Sequence, residues 1–366
     1  MLKFFSSSPT LGELAVGKDN NFNLLRLLAA FAVLISHSFA VLGHPEPFAA
    51  TVGKNLGAMA VDVFFVTSGF LVCASLMRSR NALDYLRARG FRIFPALWMM
   101  LVFSVFILGA SFSRLDFFSY LHESQTWRYF LKNAVLMGGV EFYLPGMFEQ
   151  NHLAGIVNGS LWSMIYELSM YVLLLLTFIT YFYVVKFRSH LQAFAIALFV
   201  LLGAWFLSDR FYLLERGQFL RFTWFFFVGA AFYLARRRVP MSGEIIACII
   251  AIAFIALRFS GHAFLLVYYL SLAYVLFYLA YVPAGKIREF NRLGDYSYGV
   301  YLYAFPIQQA LLASSSEWSV ATLAISAAAI TLLCAICSWH GIERPALAIT
   351  SALRTRTSAS TNTHQR

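Results

Sequence analysis

Long apolar segments alternate with short polar ones over most of the chain. Each apolar segment is about 17 to 25 residues long, the length that an α-helix needs to cross the hydrocarbon core of a bilayer. Ten such segments follow one another: 22–43, 56–77, 93–111, 160–185, 191–207, 219–235, 244–259, 264–282, 298–314 and 320–342. The pattern therefore predicts an all-α fold, a polytopic bundle of about ten transmembrane helices.

The composition excludes an ordinary soluble protein. The 366 residues are 60% hydrophobic, 17% aromatic and only 12% charged, and the mean hydropathy is +0.70. The net charge of +11 does not indicate a nucleic-acid partner, because Lys and Arg are spread between apolar segments rather than collected on one basic helix.

The positions of Lys and Arg predict the orientation of the spans. With the N-terminus in the cytoplasm, nineteen of the 28 Lys and Arg residues lie on the inner side, eight lie on the outer side, and Arg26 lies in the membrane. Both termini are then cytoplasmic. We expect a cytoplasmic segment over 1–21, with no signal peptide, a membrane domain over 22–345, and a disordered cytoplasmic tail over 346–366, which is rich in Ser and Thr.

Two ionisable residues lie in the first apolar segment. Arg26 and His37 are eleven residues apart, almost three helical turns, so they project from nearly one face and are separated by about 16 Å along the axis. Ionisable residues at membrane depth are expensive and are candidates for a functional site. The spacing does not allow a direct hydrogen bond between the two.

Two carboxylates are predicted at the depth of His37. Asp62 and Glu167 each lie several residues below the outer end of their spans, about 10 Å into the membrane. A carboxylate that holds one imidazole nitrogen leaves the other to take a proton from a hydroxyl, so the three residues suit general-base catalysis. Two alternatives stay open: a backbone group or Ser38 satisfies His37, and an arginine pairs with Asp62 only to hold helices together.

The stretch YLRARGFRIFP at 85–95 places Arg89 and Arg92 three residues apart, on neighbouring positions of a helix. Guanidinium groups in this arrangement bind phosphates bidentately. The alternative is that they only anchor the cytoplasmic end of a span.

Aromatic residues follow Ser160 at helical spacing. Trp162, Tyr166 and Tyr171 would stack on sugar rings, or else form an interfacial aromatic belt. Asn158-Gly159-Ser160 matches a glycosylation pattern, but it directly precedes a span, and we interpret it as the N-terminal cap of that helix. Histidines lack a paired ligand spacing, so we expect no metal site.

Five motifs in order, with a sixth at the end, carry a family resemblance. They are Arg26-x10-His37, AVDVFFVTSGFLV at 60–72, FRIFP at 91–95, GSLWSMIYELSMY at 159–171, LGDYSYGVYLYAFPI at 293–307 and GIERP at 341–345. Together they resemble the acyltransferase 3 family of membrane O-acyltransferases, over residues 23–345.

The resemblance implies transfer of an acyl group, commonly acetyl, from cytoplasmic acyl-CoA to a sugar hydroxyl of a surface or secreted glycan. Acetyl-CoA would be the co-substrate, and the location would be a bacterial inner membrane. In the family the arginine and histidine of the first motif are regarded as essential, and the paired arginines are implicated as well. These roles map onto His37 for catalysis and onto Arg26, Arg89 and Arg92 for the donor. One departure is Ala304, where members often have His.

The catalytic candidates are therefore His37, Asp62 and Glu167. The candidates for binding the acceptor are Ser160, Trp162 and Tyr166. The acceptor stays open between exopolysaccharide, lipopolysaccharide O-antigen, a secreted oligosaccharide and a small lipid-linked molecule. Buried charges and an inner basic surface also suit a transporter of an anionic solute, or a sensor or assembly factor without catalysis.

Overall fold

A computed structural model describes residues 8–17, 19–185, 217–315 and 317–350. Over those ranges the regular structure is helical, with isolated β-bridges but no strand. The long helices are α1 (Phe22–Val41), α2 (Leu56–Arg78), α3 (Ala82–Val102), α4 (Trp162–Val185), α5 (Gly217–Ala235), α6 (Gly243–Phe259), α7 (Gly261–Tyr281), α8 (Ser297–Ser314) and α9 (Val320–Ser338).

Seven helical stretches in the described ranges are long and apolar enough to cross a membrane. They are Phe22–Val41, Leu56–Arg78, Ala82–Phe112, Gly159–Tyr181, Gly217–Ala235, Gly261–Tyr281 and Val320–Thr350. The predicted spans 244–259 and 298–314 are also helices, α6 and α8, whereas 191–207 lies outside the described residues. The all-helical class is confirmed, while the number of ten spans and the cytoplasmic termini stay predictions.

Helix α3 begins eleven residues before the predicted span. Asn81 caps it, since its side chain accepts a hydrogen bond from the backbone N–H of Asp84 at 2.8 Å. The first turns of the helix are rich in charge, so the hydropathy pattern missed them. Arg89 and Arg92 therefore lie within a regular helix, as the spacing predicted.

Helix α9 also extends beyond its predicted end. It continues through a π-helical segment, Trp339–Glu343, and the helical stretch ends at Thr350. The remainder of the predicted tail, 351–366, lies outside the described residues.

The chain divides into two compact units. The first comprises Met1–Ala29, Glu46–Arg78 and Tyr166–Gly294. The second comprises Ala30–Pro45, Ser79–Ile165 and Asp295–Arg366. Helices α1 and α4 contribute residues to both.

In the first unit, α2 and α5 pack with their backbones in close approach at two glycines. A Cβ atom on Gly69 would lie 1.9 Å from the carbonyl oxygen of Phe226, and one on Gly229 would lie 2.1 Å from that of Val66. Only glycine fits at such distances, and small residues are the usual means of close helix packing in membranes. This pair of glycines fixes the register of α2 against α5.

In the second unit, α8 is buried from Ser297 to Gln309. It packs on α9 where a Cβ atom on Gly299 would lie 2.8 Å from the Cα atom of Ala335. It is bonded to α3 through the Tyr298 hydroxyl, which donates to the carbonyl of Ile93 at 3.0 Å. Helix α8 is therefore the central element of this unit.

The long connection before α4, which runs from Phe112 to Gly159, is folded rather than open. It contains the short helices Phe117–His122 and Ser124–Val135. Asn133 and Glu141 are joined by two hydrogen bonds, from the Asn133 amide to the Glu141 carbonyl at 2.8 Å and from the Glu141 N–H to the Asn133 side chain at 3.0 Å. These bonds replace the backbone pairing that an irregular segment lacks.

Candidate active site

His37 lies in the second unit, on the part of α1 that faces α8. Its imidazole meets the Phe305 ring edge-on, with 5.2 Å between ring centroids and an interplanar angle of 86°. The Nδ1 atom is buried and has no hydrogen-bond partner among the described residues. Ser38 does not satisfy this nitrogen, because its hydroxyl donates instead to the carbonyl of Leu34 at 3.1 Å.

Gln308, which the sequence analysis did not single out, lies fully buried on α8 near the same part of α1. Its Nε2 atom donates to the carbonyl of Leu34 at 2.8 Å and to the hydroxyl of Ser38 at 2.7 Å. One feature of the sequence points to Gln308, namely an amide side chain within an apolar span. Ala304, on the same helix, is buried as well and offers no imidazole.

Ser160 is held rigidly at the start of the helical stretch that leads into α4. The Asn158 side chain accepts a hydrogen bond from the Ser160 N–H at 3.0 Å, which confirms the predicted cap. Its amide nitrogen donates to the Leu302 carbonyl at 2.9 Å, and the Tyr301 hydroxyl donates to the Ser160 carbonyl at 2.9 Å. The Ser160 hydroxyl oxygen is buried and finds no hydrogen-bond partner in the described part of the chain.

The Phe305 ring packs against both His37 and the segment that carries Ser160. Besides the edge contact with His37, its ring packs against Gly159, where a Cβ atom would lie 2.7 Å from the ring edge. Gly159 therefore has to be glycine for α8 to approach. The imidazole and the segment that carries Ser160 lie against the same phenyl ring.

The aromatic candidates divide between the units. Trp162 is half-buried in the second unit. Tyr166 belongs to the first, where its ring lies 5.3 Å from that of Phe222 on α5. Both residues already contact other groups of the protein.

Asp62 lies in the first unit at the centre of a buried ionic cluster. Its carboxylate pairs with Lys54 and with Arg221, whose Nε atom is 2.9 Å from Oδ1. The Tyr268 hydroxyl donates to the same carboxylate at 3.0 Å. Asp62 itself is 0% exposed, so its charge is stabilised by two cations and a hydroxyl rather than by water.

Aromatic rings complete this cluster. The Lys54 ammonium lies 4.8 Å from the ring centroid of Tyr269 and 5.2 Å from that of Tyr268. The Arg221 guanidinium lies 4.5 Å from the ring centroid of Phe222. These cation–π contacts replace part of the hydration that the two cations lose. The arrangement matches the alternative in which an arginine pairs with Asp62 to hold helices together.

Glu167 has a different set of partners in the same unit. It accepts hydrogen bonds from the Tyr171 hydroxyl at 2.5 Å and from the Ser68 hydroxyl at 3.3 Å. The first bond lies within one turn of α4 and the second joins α4 to α2. Asp62 and Glu167 thus belong to separate hydrogen-bond groups. A shared site of these carboxylates with His37 stays a prediction.

Arg92 pairs with carboxylates of the second unit. It forms an ion pair with Asp295, which precedes α8, and another with Glu343 after α9, at 3.3 Å. Ser338 donates a hydrogen bond to Glu343 at 3.1 Å, and the Ser297 hydroxyl donates to Asp295. One guanidinium therefore ties three helical elements together.

Arg26 and Arg89, the other two residues predicted to bind acyl-CoA, lie on helix faces. Arg26 has its guanidinium 5.7 Å from the ring centroid of Phe64 in the first unit. Arg89 is half-buried on α3, one turn before Arg92. Both make contacts within the protein.

A cleft of about 500 Å³ opens in the second unit, between the end of α8 and the long connection. An exposed ion pair crosses its rim, from Arg114 to Glu149 at 2.8 Å. Asn151 lines it and donates to the carbonyl and side-chain oxygens of Gln309 on α8 at 2.9 and 3.0 Å. The lining is rich in hydroxyl, amide and charged groups.

The chain is similar in sequence to known acyltransferases. A family model described as an acyltransferase domain matches residues 19–340. An O-acetyl transferase of Shigella phage Sf6 is 28% identical over 350 residues, which cover 89% of this chain and 96% of the relative. Nodulation protein 10 of Rhizobium leguminosarum bv. viciae is 28% identical over 370 residues, which cover 94% and 97%. No solved structure matches.

Proposed function

Because the chain belongs to the acyltransferase 3 family and is a membrane O-acetyltransferase, we propose that it transfers acetyl from cytoplasmic acetyl-CoA to a hydroxyl of a surface or secreted glycan. The observation that carries the proposal is the buried Nδ1 atom of His37, which has no hydrogen-bond partner among the described residues. A buried polar atom of this kind is costly unless a ligand satisfies it.

His37 is the base in this proposal. Its neutral Nδ1 atom accepts the proton of the acceptor hydroxyl while the hydroxyl oxygen attacks the acetyl carbonyl carbon. The carbon–sulfur bond of the thioester then breaks and CoA leaves as the thiolate, which takes up a proton. The alternative within the same reaction is that His37 first accepts the acetyl group and passes it to the sugar.

The donor approaches from the cytoplasm. We assign its phosphates to Arg26 and Arg89, which the proposed orientation places toward the cytoplasmic side. Arg26 and His37 lie on one continuous helix, about 16 Å apart along its axis. The acetyl end of the extended CoA arm would bridge that distance, so the CoA head group need not cross the membrane.

Arg92 takes a different role from Arg89 in this scheme. Two carboxylates, Asp295 and Glu343, already balance its charge, whereas a phosphate-binding arginine needs an excess of positive charge. We propose that Arg92 fixes α3 so that Arg89 meets the donor. Direct contact of Arg92 with the donor, as the family resemblance implies, is the competing assignment.

The carboxylates of the first unit support the site rather than carry the proton. Asp62 is held between Lys54 and Arg221. Glu167 is engaged by Ser68 and Tyr171. We propose that both hold helices in register.

The acceptor arrives from the outer side. Ser160, Trp162 and Tyr166 are the proposed sugar contacts, and the polar cleft that contains Asn151 is the proposed approach. The hydroxyl, amide and charged groups of the cleft suit a polyhydroxylated ligand. Exopolysaccharide, lipopolysaccharide O-antigen and secreted or lipid-linked oligosaccharides fit this description, and a bacterial inner membrane is the expected location.

Mass spectrometry of cell-surface and secreted glycans tests the proposal. Deletion of the gene should remove acetyl groups from one glycan class, and the wild-type gene should restore them. The same gene with His37→Ala should not. An unchanged acetylation profile after deletion would favour the transporter instead.

A further inference from the structure

Two adjacent glutamines on α8 are both fully buried but differ in how they are satisfied. Gln309 donates to the carbonyls of Ile156 and Leu153 at 2.6 and 3.0 Å, and its side-chain oxygen accepts from Asn151 at 3.0 Å. The side-chain oxygen of Gln308 is buried without a hydrogen-bond partner over the described ranges. Gln309 is complete within the protein, and Gln308 has one acceptor left over.

The orientation of the Gln308 amide follows from its neighbours. The carbonyl of Leu34, 2.8 Å away, can only accept a hydrogen bond, so the NH₂ group has to face it. The same NH₂ group donates to Ser38 at 2.7 Å. Both donors are used, and the oxygen Oε1 keeps its full accepting capacity.

Gln308 contacts the part of α1 that carries His37. Leu34, His37 and Ser38 share one face of α1, because they are separated by three and four residues. Gln308 bonds to the first and last of these, while Phe305, one turn earlier on α8, packs against the middle one. Two buried polar atoms without a hydrogen-bond partner among the described residues, Nδ1 of His37 and Oε1 of Gln308, thus belong to residues at the same interface of α1 with α8.

We propose that Gln308 binds the acceptor, with Oε1 accepting a hydrogen bond from the hydroxyl adjacent to the one that His37 deprotonates. The inference rests on the proposed function and narrows the acceptor to a diol. A neutral imidazole nitrogen and an amide oxygen both accept, so the ligand that satisfies them has to present two O–H donors. Neighbouring hydroxyls of a sugar ring meet this requirement.

The diol requirement has a consequence for selectivity. A site with two buried acceptors rejects a ligand that lacks one of the donors, because one acceptor then stays desolvated without a partner. A lone alcohol satisfies one of the two groups only. Gln308 would therefore direct acetyl to sugars rather than to simple alcohols.

The test compares an intact sugar with analogues that lack one hydroxyl. The acceptor is the methyl glycoside of the sugar found acetylated in cells, together with the two monodeoxy analogues that lack the hydroxyl on either side of the acetylated position. Acetyl transfer from acetyl-CoA is measured with the full chain in liposomes. For the wild type, one of the two analogues should lose about tenfold in kcat/KM.

Gln308→Met removes the amide at nearly constant length. It should lower kcat/KM for the intact glycoside about tenfold and abolish the penalty for the sensitive deoxy analogue, because the interaction is already gone. Gln309→Met and Ser38→Ala are the matched controls. Gln309→Met removes the three hydrogen bonds of the Gln309 side chain. Ser38→Ala removes two, one of which the Gln308 NH₂ group donates. Both variants keep the Gln308 side chain and its bond to the Leu34 carbonyl, so the deoxy penalty should stay.

Three results separate the outcomes. Equal kcat/KM for the wild type with all three glycosides overturns the role of Gln308, and this result does not depend on whether any variant folds. A deoxy penalty that persists in Gln308→Met overturns it as well. Absence of transfer to every glycoside, while the wild-type protein is folded, instead defeats acetyl-CoA-dependent glycan transfer, and with it the inference.

Discussion

The Nε atom of Arg221, on α5, lies 2.9 Å from Oδ1 of Asp62, on α2. Asp62 is fully buried, and Lys54, just before α2, pairs with the same carboxylate. The two helices that approach most closely at Gly69 and Gly229 are thus also joined by a buried ion pair. Removal of the carboxylate would leave two buried cations facing each other, which is more costly than the absence of the whole group.

Asp62→Asn should therefore destabilise the protein strongly. We expect a loss of about 3 kcal/mol or more, because an amide does not balance the charges of Lys54 and Arg221. Thermal unfolding of the detergent-purified protein measures the loss. Glu167→Gln is the control, since it keeps hydrogen-bonding groups near Ser68 and Tyr171 and should cost about 1 kcal/mol. A stable, catalytically dead Asp62→Asn protein would instead restore Asp62 to the catalytic set.

Arg92→Ala and Arg89→Ala should fail in different ways. Loss of Arg92 leaves Asp295 and Glu343 without their guanidinium, so thermal stability should fall by about 2 to 4 kcal/mol. Loss of Arg89 should raise KM for acetyl-CoA about tenfold. Unfolding curves and donor titrations are measured side by side.

The opposite pattern decides between the two assignments of Arg92. If Arg92→Ala purifies with wild-type stability and a raised KM for acetyl-CoA, the guanidinium binds the donor directly. Glu343→Gln is a second variant for this comparison, because it weakens the ion pair with Arg92 without removing the arginine.

His37→Ala should abolish transfer while the protein still inserts and folds. Loss of a general base commonly lowers the rate about 10²- to 10⁴-fold, and we expect a loss of that order for His37→Ala. Membrane yield and thermal stability are the controls, and they should stay close to wild type because Nδ1 has no hydrogen-bond partner among the described residues. Full transfer by a well-folded variant would contradict the assignment of His37.

The same variant separates a base from an acyl carrier. With radiolabelled acetyl-CoA and no acceptor, a carrier retains label on the quenched wild-type protein, and His37→Ala retains none. A base gives no labelled protein in either case. We expect no retained label, in line with direct attack by the sugar hydroxyl.

Gly69→Ala should destabilise the first unit. The new methyl group would lie 1.9 Å from the Phe226 carbonyl oxygen, so α2 and α5 have to move apart, at a cost of about 1 to 3 kcal/mol. Gly90→Ala on α3 is the matched control, because its Cβ atom meets only the Phe94 ring at 3.9 Å. There alanine should be neutral or stabilise by about 0.5 to 1 kcal/mol. Equal effects would contradict the close approach at Gly69.

Local patterns predicted the helices well where the sequence is uniformly apolar. The bounds of α1, α2, α5 and α7 lie within a few residues of the predicted spans, because twenty apolar residues in succession leave the backbone little alternative in a membrane. The prediction was wrong at the start of α3. There Asn81 caps a turn that is rich in charge, and a hydropathy pattern does not register capping.

The sequence by itself determined which residues are chemically exceptional. Arg26, His37, Asp62 and Glu167 are polar groups in apolar spans, and they lie within the motifs that carry the family resemblance. The tertiary structure decided what each one contacts. Asp62 pairs with Lys54 and Arg221, and Arg92 pairs with Asp295 and Glu343. Gln308 bonds to Ser38, the residue that follows His37.

The physical reason is the range of the interactions. Helix formation depends on residues three or four positions apart, so it can be predicted from a short stretch of chain. The partner of a buried charge lies on another helix, far away in the sequence, and it is chosen by how glycines and aromatic rings let the helices pack. The spans are therefore a property of the sequence, and the partners of their polar residues are a property of the packed bundle.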